Sequence, residues 1–211
     1  VFSRGADKKL TYNPTIAEGF AGNLVHFGAA TSFLGGSLEA AYSSYFKDAK
    51  EHGAFISFDP NFRGDLWKGK QKEFIEKCIP NIAQAQLCKF SKEEALLISG
   101  KADLSEACDY FHHLGTQIIT ITLGAEGTLL STPTINLHVP SVKVNPVDTT
   151  GAGDAFMGCL LYQIATLDDP NDLLEDENAM LQMVEIANKA GAITTTQYGA
   201  ISALPEKGEV F

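Results

Sequence analysis

Arginine is nearly missing from this sequence: among 211 residues only Arg4 and Arg63 carry a guanidinium, so a planar two-pronged grip on a carboxylate or phosphate has just two candidates. Positive charge as a whole is scarce. Sixteen basic residues stand against twenty-six acidic ones, a net charge of -10, which argues against a nucleic-acid or anionic-membrane surface and favours a small ligand. There is no CxxC pair; Cys78, Cys88, Cys108 and Cys159 stand singly in apolar or helical surroundings, as buried free thiols of a reducing compartment do. No run approaches the roughly 18 to 20 apolar residues of a membrane span, and no charged-then-apolar leader is read, so a cytoplasmic protein is expected. His26, His52, His112, His113 and His138 show no HExxH-like spacing, and no GxGxxG marks a dinucleotide site. Repeats and low-complexity tracts are absent too, and a single α/β domain over 1–211 is expected. The chain opens at "VFSRGADKKL", without an initiator methionine and in what reads as the middle of a strand or loop, so a preceding segment is expected.

What is present is an ordinary globular composition, 45% hydrophobic and 20% charged, long enough for a substantial core. A short apolar run followed by an amphipathic helix recurs. "NLVHF" (23–27) reads as a strand, and Leu38, Ala41, Tyr42, Tyr45, Phe46 and Ala49 fall at helical intervals after it. "AFISFD" (54–59) is a second strand, with a helix over 70–81 that ends near Pro80. "QLCKF" (86–90) is a third, leading into "SKEEALLIS", where Ser91 and Glu94 have capping-box spacing. A helix over 105–114 precedes the strand "QIITITL" (117–123). This alternation predicts parallel strands with right-handed crossovers. Short strands at 127–131, 135–139 and 142–147 could include an antiparallel edge. Two last helices, 151–166 and 177–195, are divided by the acidic "LDDPNDLLEDE", expected as a solvated, mobile loop.

The stretch "NPVDTTGAGDAF" (145–156) carries chemistry. Val144 to Val147 reads as the end of a strand, Thr149 or Thr150 as an N-cap, and Ala152, Ala155, Phe156, Cys159 and Leu160 as the buried face of the helix that follows. Amides in a first helical turn lack intrahelical partners, and the aligned dipoles stabilise an anion there by roughly 0.3 to 1 kcal/mol. Gly151 and Gly153 would let a phosphate approach the backbone. Asp154 lies in the same turn. A structural protein gains little from that repulsion, whereas a phosphoryl-transfer enzyme gains a base for the attacking hydroxyl, worth on the order of 10²- to 10⁴-fold. Taken alone, "GAGD" also reads as a plain turn with favourable electrostatics.

"DTTGAGDAFMG" (148–158) resembles the C-terminal signature of the ribokinase-like carbohydrate kinases, the PfkB family, and within it the fructokinases. The resemblance covers essentially the whole chain, and it implies a ribokinase-like, Rossmann-like, mostly parallel sheet flanked by helices. It also implies ATP as phosphoryl donor and a sugar, most readily fructose, as acceptor at a primary hydroxyl. In family terms Asp154 is the catalytic base and the amides of Gly151, Ala152 and Gly153 form the anion hole; Cys159 departs from a smaller residue. "FDPNFRGDLW" (58–67) is similar to the segment beside the phosphates, which makes Asp59, Asn61 and Arg63 candidate substrate-binding residues. "KFSKEEALLISG" (89–100) is similar to the Asn-x-x-Glu region, with Ser91 in place of Asn; it implies Glu94 as the acid that organises Mg2+ through water, and Lys89 on the nucleotide side. "TLGAEG" (122–127) resembles the ribose and phosphate loop, with Thr122, Gly124 and Gly127, and "ANKAGAITTTQYGAIS" (187–202) the adenine flank, with Asn188. Asp148 and Thr150 are implied as a site for a monovalent cation such as K+.

The resemblance further implies that family segments precede Val1: a glycine-rich signature, several sugar-binding residues and most of a small β-sheet lid. Residues 1–12 would be the tail of that lid, with Arg4 reaching toward the sugar. On that reading the chain alone is a weak catalyst or none, and association with a partner, such as a homodimer, is expected. Two other readings stay open: a 2-keto-3-deoxygluconate or other PfkB sugar or nucleoside kinase, and a nucleotide-binding remnant without chemistry. Residue by residue, Asp59 also reads as a strand terminator, Arg63 as a surface cation, Glu94 as the capping partner of Ser91, Gly124 and Gly127 as a hairpin turn, and Asn188 as a surface amide.

Overall fold

The computed structural model describes residues 5–211, so Arg4 lies outside the described residues. The chain forms two compact units, Val1–Gln117 and Ile118–Phe211.

In the first unit a short helix α1 (Pro14–Ala17) precedes β1 (Leu24–Gly28), α2 (Gly36–Glu51), β2 (Phe55–Asp59), α3 (Gln71–Ile82), β3 (Leu87–Ser91), α4 (Lys92–Ser99) and α5 (Leu104–Leu114). β1 and β2 pair in parallel from Leu24↔Phe55 to Gly28↔Asp59, and β2 and β3 pair in parallel through Ser57↔Leu87 and Phe58↔Cys88. The expected crossovers are there: α2 and α3 carry the chain back between strands, which parallel pairing requires. All five residues of β2 are buried, in keeping with its unbroken apolar run. α2 buries Leu38, Ala41, Tyr42, Phe46 and Ala49, while Tyr45 turns aside and accepts a bond from the Asn13 amide at 2.9 Å. Aromatic rings knit this unit, with Phe27 against Phe46 and Phe90 stacked on Phe111 at 4.3 Å between centroids. α3 does not stop at Pro80. The proline falls in the last turn, where it forfeits one amide, and the helix continues to Ile82 with the Asn81 side chain donating to the Lys77 carbonyl at 2.8 Å.

The second unit contains β4 (Ile118–Thr122), β5 (Gly127–Ser131), β6 (Asn136–Pro140), α6 (Ala152–Ile164), α7 (Glu177–Thr194) and a terminal α8 (Lys207–Val210). β4 and β5 are antiparallel across a 3-10 turn at Gly124–Glu126, and β6 returns antiparallel to β5. The strand expected over 142–147 does not form. Pro140 closes β6 and Pro146 has no amide to donate; the amides of Val147 and Asp148 beyond it donate to the Thr195 carbonyl, at 2.7 and 3.1 Å. The segment 167–177 is likewise not a free loop. It carries a 3-10 helix, Pro170–Leu174, anchored by buried Pro170 and Leu173, and Asp176 caps α7 by accepting from the Ala179 amide at 2.9 Å. α6 buries Ala155, Phe156, Met157, Leu160, Gln163 and Ile164; Ala152 and Cys159, expected inside, are only half-buried.

Gly127 has φ +110°, and a Cβ there would overlap the Val139 carbonyl oxygen and crowd the Ser141 amide at 2.7 Å. Gly127→Ala is therefore expected to destabilise the protein by about 3 kcal/mol, combining backbone strain with overlap, read as a lowered denaturation midpoint.

Candidate active site

The start of α6 is built differently from the expectation. Its N-cap is Gly151, left-handed at φ +83°, and no threonine hydroxyl caps it. Thr150 is turned the other way: its amide and hydroxyl both donate to Asp148 Oδ1, at 2.9 and 2.6 Å. The second carboxylate oxygen of Asp148 accepts from the Gly199 amide at 3.1 Å, which ties the C-terminal turn to the signature. That turn packs closely, since a Cβ on Gly151 would stand 2.8 Å from the Ala200 Cβ. Glycine is thus required at 151 by the backbone and by Ala200 together. The result is a thirteen-residue helix whose first turn, Ala152-Gly153-Asp154, has no side chain at its cap to occupy the positive end. Asp154 is exposed.

Beside this turn lies a cavity of about 520 Å³, within the range of small-molecule sites. Its walls are Thr122, Gly124, Ala125, Gly127 and Thr128 from the β4–β5 hairpin, Ser141 to Pro146 from the irregular segment, Ala152, Gly153 and Phe156 from α6, and Asn188, Gly191, Ala192 and Thr195 at α7. Close helix packing makes it possible: a Cβ on Gly191 would meet the Ala152 carbonyl oxygen at 3.0 Å. Asn188 is not a surface amide. It is buried, accepts from Thr128 Oγ1 at 2.6 Å and donates to the Val139 carbonyl at 3.0 Å, so it fixes the hairpin wall. Thr122, Gly124, Gly127, Asn188, Ala152 and Gly153 are therefore brought together around one cavity, with Gly151 and Asp154 adjoining in the same turn. Missed from the sequence were the residues of 141–146, because their apolar alternation read as a strand. Their signal was the pair Pro140 and Pro146, which brackets the segment with residues that have no amide to donate to a ladder.

The remaining candidates cluster in the first unit. Lys89 Nζ is 3.0 Å from Asp59 Oδ2, both side chains buried, and Asp59 Oδ1 accepts from the Asn61 amide at 2.9 Å. Asn61 is left-handed, φ 48°, a conformation its short polar side chain tolerates. Glu94 completes the capping box on Ser91 and also accepts from the Phe62 amide at 2.6 Å, so its carboxylate clamps the turn that carries Arg63. Arg63 is half-buried with one long bond, 3.4 Å, to the Phe62 carbonyl. Among the described residues no group of three or more His, Cys, Asp or Glu side chains could hold a metal. All four cysteines are free thiols, and burial pushes that of Cys88 up to about 12. No helix among the described residues is long and apolar enough to cross a membrane.

Residues 3–207 match the pfkB family of carbohydrate kinases. The chain belongs to that family. It is 36% identical over 188 residues to fructokinase-1 of Zea mays, covering 88% of this chain and 56% of that relative, so it spans little more than half of the relative's length. A crystal structure of the Vibrio cholerae O395 fructokinase in its fructose, ADP and calcium ion bound form superposes with a TM-score of 0.81 at 32% identity, over 90% of this chain and 60% of that one. The Salmonella enterica aminoimidazole riboside kinase, complexed with aminoimidazole riboside and an ATP analog, gives a TM-score of 0.79 at 32% identity over 89% and 61% of the two chains. The fold is accordingly the α/β, ribokinase-like one expected, and the pfkB signature coincides with the open start of α6.

Two outcomes follow from the buried and tethered carboxylates. Lys89→Met strands the Asp59 charge in the interior and is expected to cost about 3 to 5 kcal/mol in denaturant unfolding. The Asp148 carboxyl is held below the ordinary value, first by the Thr150 hydroxyl and then by the Thr150 and Gly199 amides. A depressed folded pKa adds stability above the unfolded value, about 3.9, and loses it as pH falls through the folded value beneath it. Asp148→Asn is therefore expected to lower the melting temperature at pH 7, with the difference from wild type narrowing below about pH 3.9.

Proposed function

We propose that this pfkB chain carries the nucleotide-binding and catalytic region of an ATP-dependent sugar kinase, with fructose as acceptor. The observation that carries the reading is the pairing of an uncapped helix start with an exposed carboxylate: Ala152 and Gly153 line the cavity and Asp154 stands beside them. The relatives named as fructokinases, one of them holding fructose and ADP, supply the substrate class.

On this reading the cavity takes the nucleotide, with Thr122, Gly124 and Gly127 presenting the hairpin backbone and Asn188 holding it rigid. The amides of Gly151, Ala152 and Gly153 stabilise the negative charge of the γ-phosphoryl group as it moves. A sugar hydroxyl oxygen attacks the γ-phosphorus, the new O–P bond forms as the bridging bond to the β-phosphate breaks, and Asp154 accepts the hydroxyl proton while ADP departs. Magnesium would neutralise phosphate charge, and the residues fit an ion carried by phosphates and water rather than by a protein cage. Glu94 spends one lone pair of each oxygen on the Ser91 and Phe62 amides and keeps others for a water of such an ion. Asp148 and Thr150 are assigned to a monovalent cation such as K+, and Asp59, Asn61 and Arg63 to the substrate side, where Lys89 keeps Asp59 paired. Four free thiols favour the cytoplasm as the compartment.

Asp154→Asn is expected to lower phosphoryl transfer from ATP to fructose by about 10²- to 10⁴-fold, with ADP affinity held within about twofold. Turnover near the wild-type rate in the variant would remove Asp154 from this role.

A further inference from the structure

Lys143 is the one charged residue among the described residues that line the 520 Å³ cavity; the others are small, apolar or neutral polar side chains. It is exposed, and among the described residues no hydrogen bond or ion pair occupies its ammonium, in a chain where acids outnumber bases by ten. Some exposed lysines are engaged, as Lys47 is with Glu51, Lys72 with Glu76 and Lys207 with the Tyr162 hydroxyl, and others such as Lys68 and Lys92 stand unpaired among the described residues; what sets Lys143 apart is its place on the cavity wall. The segment that carries Lys143 is also peculiar. It runs between Pro140 and Pro146 without strand bonds, yet Ser141 through Pro146 all line the cavity. A segment aligned along a cavity wall presents its side chains to whatever the cavity holds.

We propose that Lys143 is a phosphate-binding residue of this cavity, its ammonium pairing with the phosphate chain of the nucleotide. The inference rests on the nucleotide reading of the cavity given above. The amides at the start of α6 supply partial charges only, and the cavity walls hold no arginine, so one mobile full charge is the natural complement to a polyanion. A flexible four-carbon stem suits that role, since it follows phosphates of different chain length without demanding a planar fork.

Calorimetric titration of the full chain with ADP tests the assignment. Lys143→Met is expected to bind ADP about three- to tenfold more weakly, as loss of one partly exposed charge-assisted contact implies, while Lys143→Arg stays within about twofold of wild type. The ADP affinity of wild type should also fall more steeply with salt than that of the methionine variant. Equal ADP affinity for wild type and Lys143→Met overturns the proposal, as does a loss in Lys143→Arg as large as that in Lys143→Met, which would mark a role of shape. Wild-type protein that binds no ADP at all would instead overturn the nucleotide reading beneath it.

Discussion

An open helix start is the constraint on which the second unit depends. Ordinarily a serine, threonine or aspartate side chain closes the first turn, and the positive end is quenched within the protein. Here Gly151 sits where a cap would be, and the hydroxyl of Thr150 is spent on Asp148. The consequence is electrostatic. The positive end of the helix is left unquenched by any capping side chain, and Asp154 stands exposed in the same turn. Packing holds this arrangement in place: Ala200 leaves Gly151 no room for a side chain, and Gly191 lets α7 approach the Ala152 carbonyl.

The first unit solves a different problem, that of holding charge inside. Asp59 ends a fully buried strand, and its two oxygens are answered by Lys89 and the Asn61 amide. Glu94 then reaches from the start of α4 to the Phe62 amide, so the turn between β2 and α3 is gripped at both its flanks. Buried pairs of this kind are seldom a net gain in stability over apolar residues of equal volume. Their worth is in fixing one geometry, and here that geometry belongs to the segment carrying Arg63.

Much of this was legible because local signals and burial agree. The apolar run of β2, the helical spacing of α2, and the Ser91–Glu94 capping box each specify their element without outside help. The glycines and the acid between Asp148 and Asp154 marked a bare helix start in the sequence, and that much the structure has. Where the reading failed, backbone supply was the reason. Val142, Val144 and Val147 have strand character, but prolines at 140 and 146 weaken any ladder there and the segment stays outside the sheet. Thr149 and Thr150 are good caps in isolation, yet Asp148 outcompetes the helix for the Thr150 hydroxyl. Pro80 came late enough in α3 to be absorbed, and acidic residues around 167–177 hid the buried Leu173 that anchors them.

The bond from the Gly199 amide to Asp148 spans 51 residues of sequence with a single acceptor. It makes the two ends of that loop mechanically one object, since whatever loosens the exposed turn around Tyr198 also frees a carboxylate oxygen next to the helix start. A protease nick between 196 and 202 would thus be felt at the start of α6, although the cut itself lies outside every wall of the cavity.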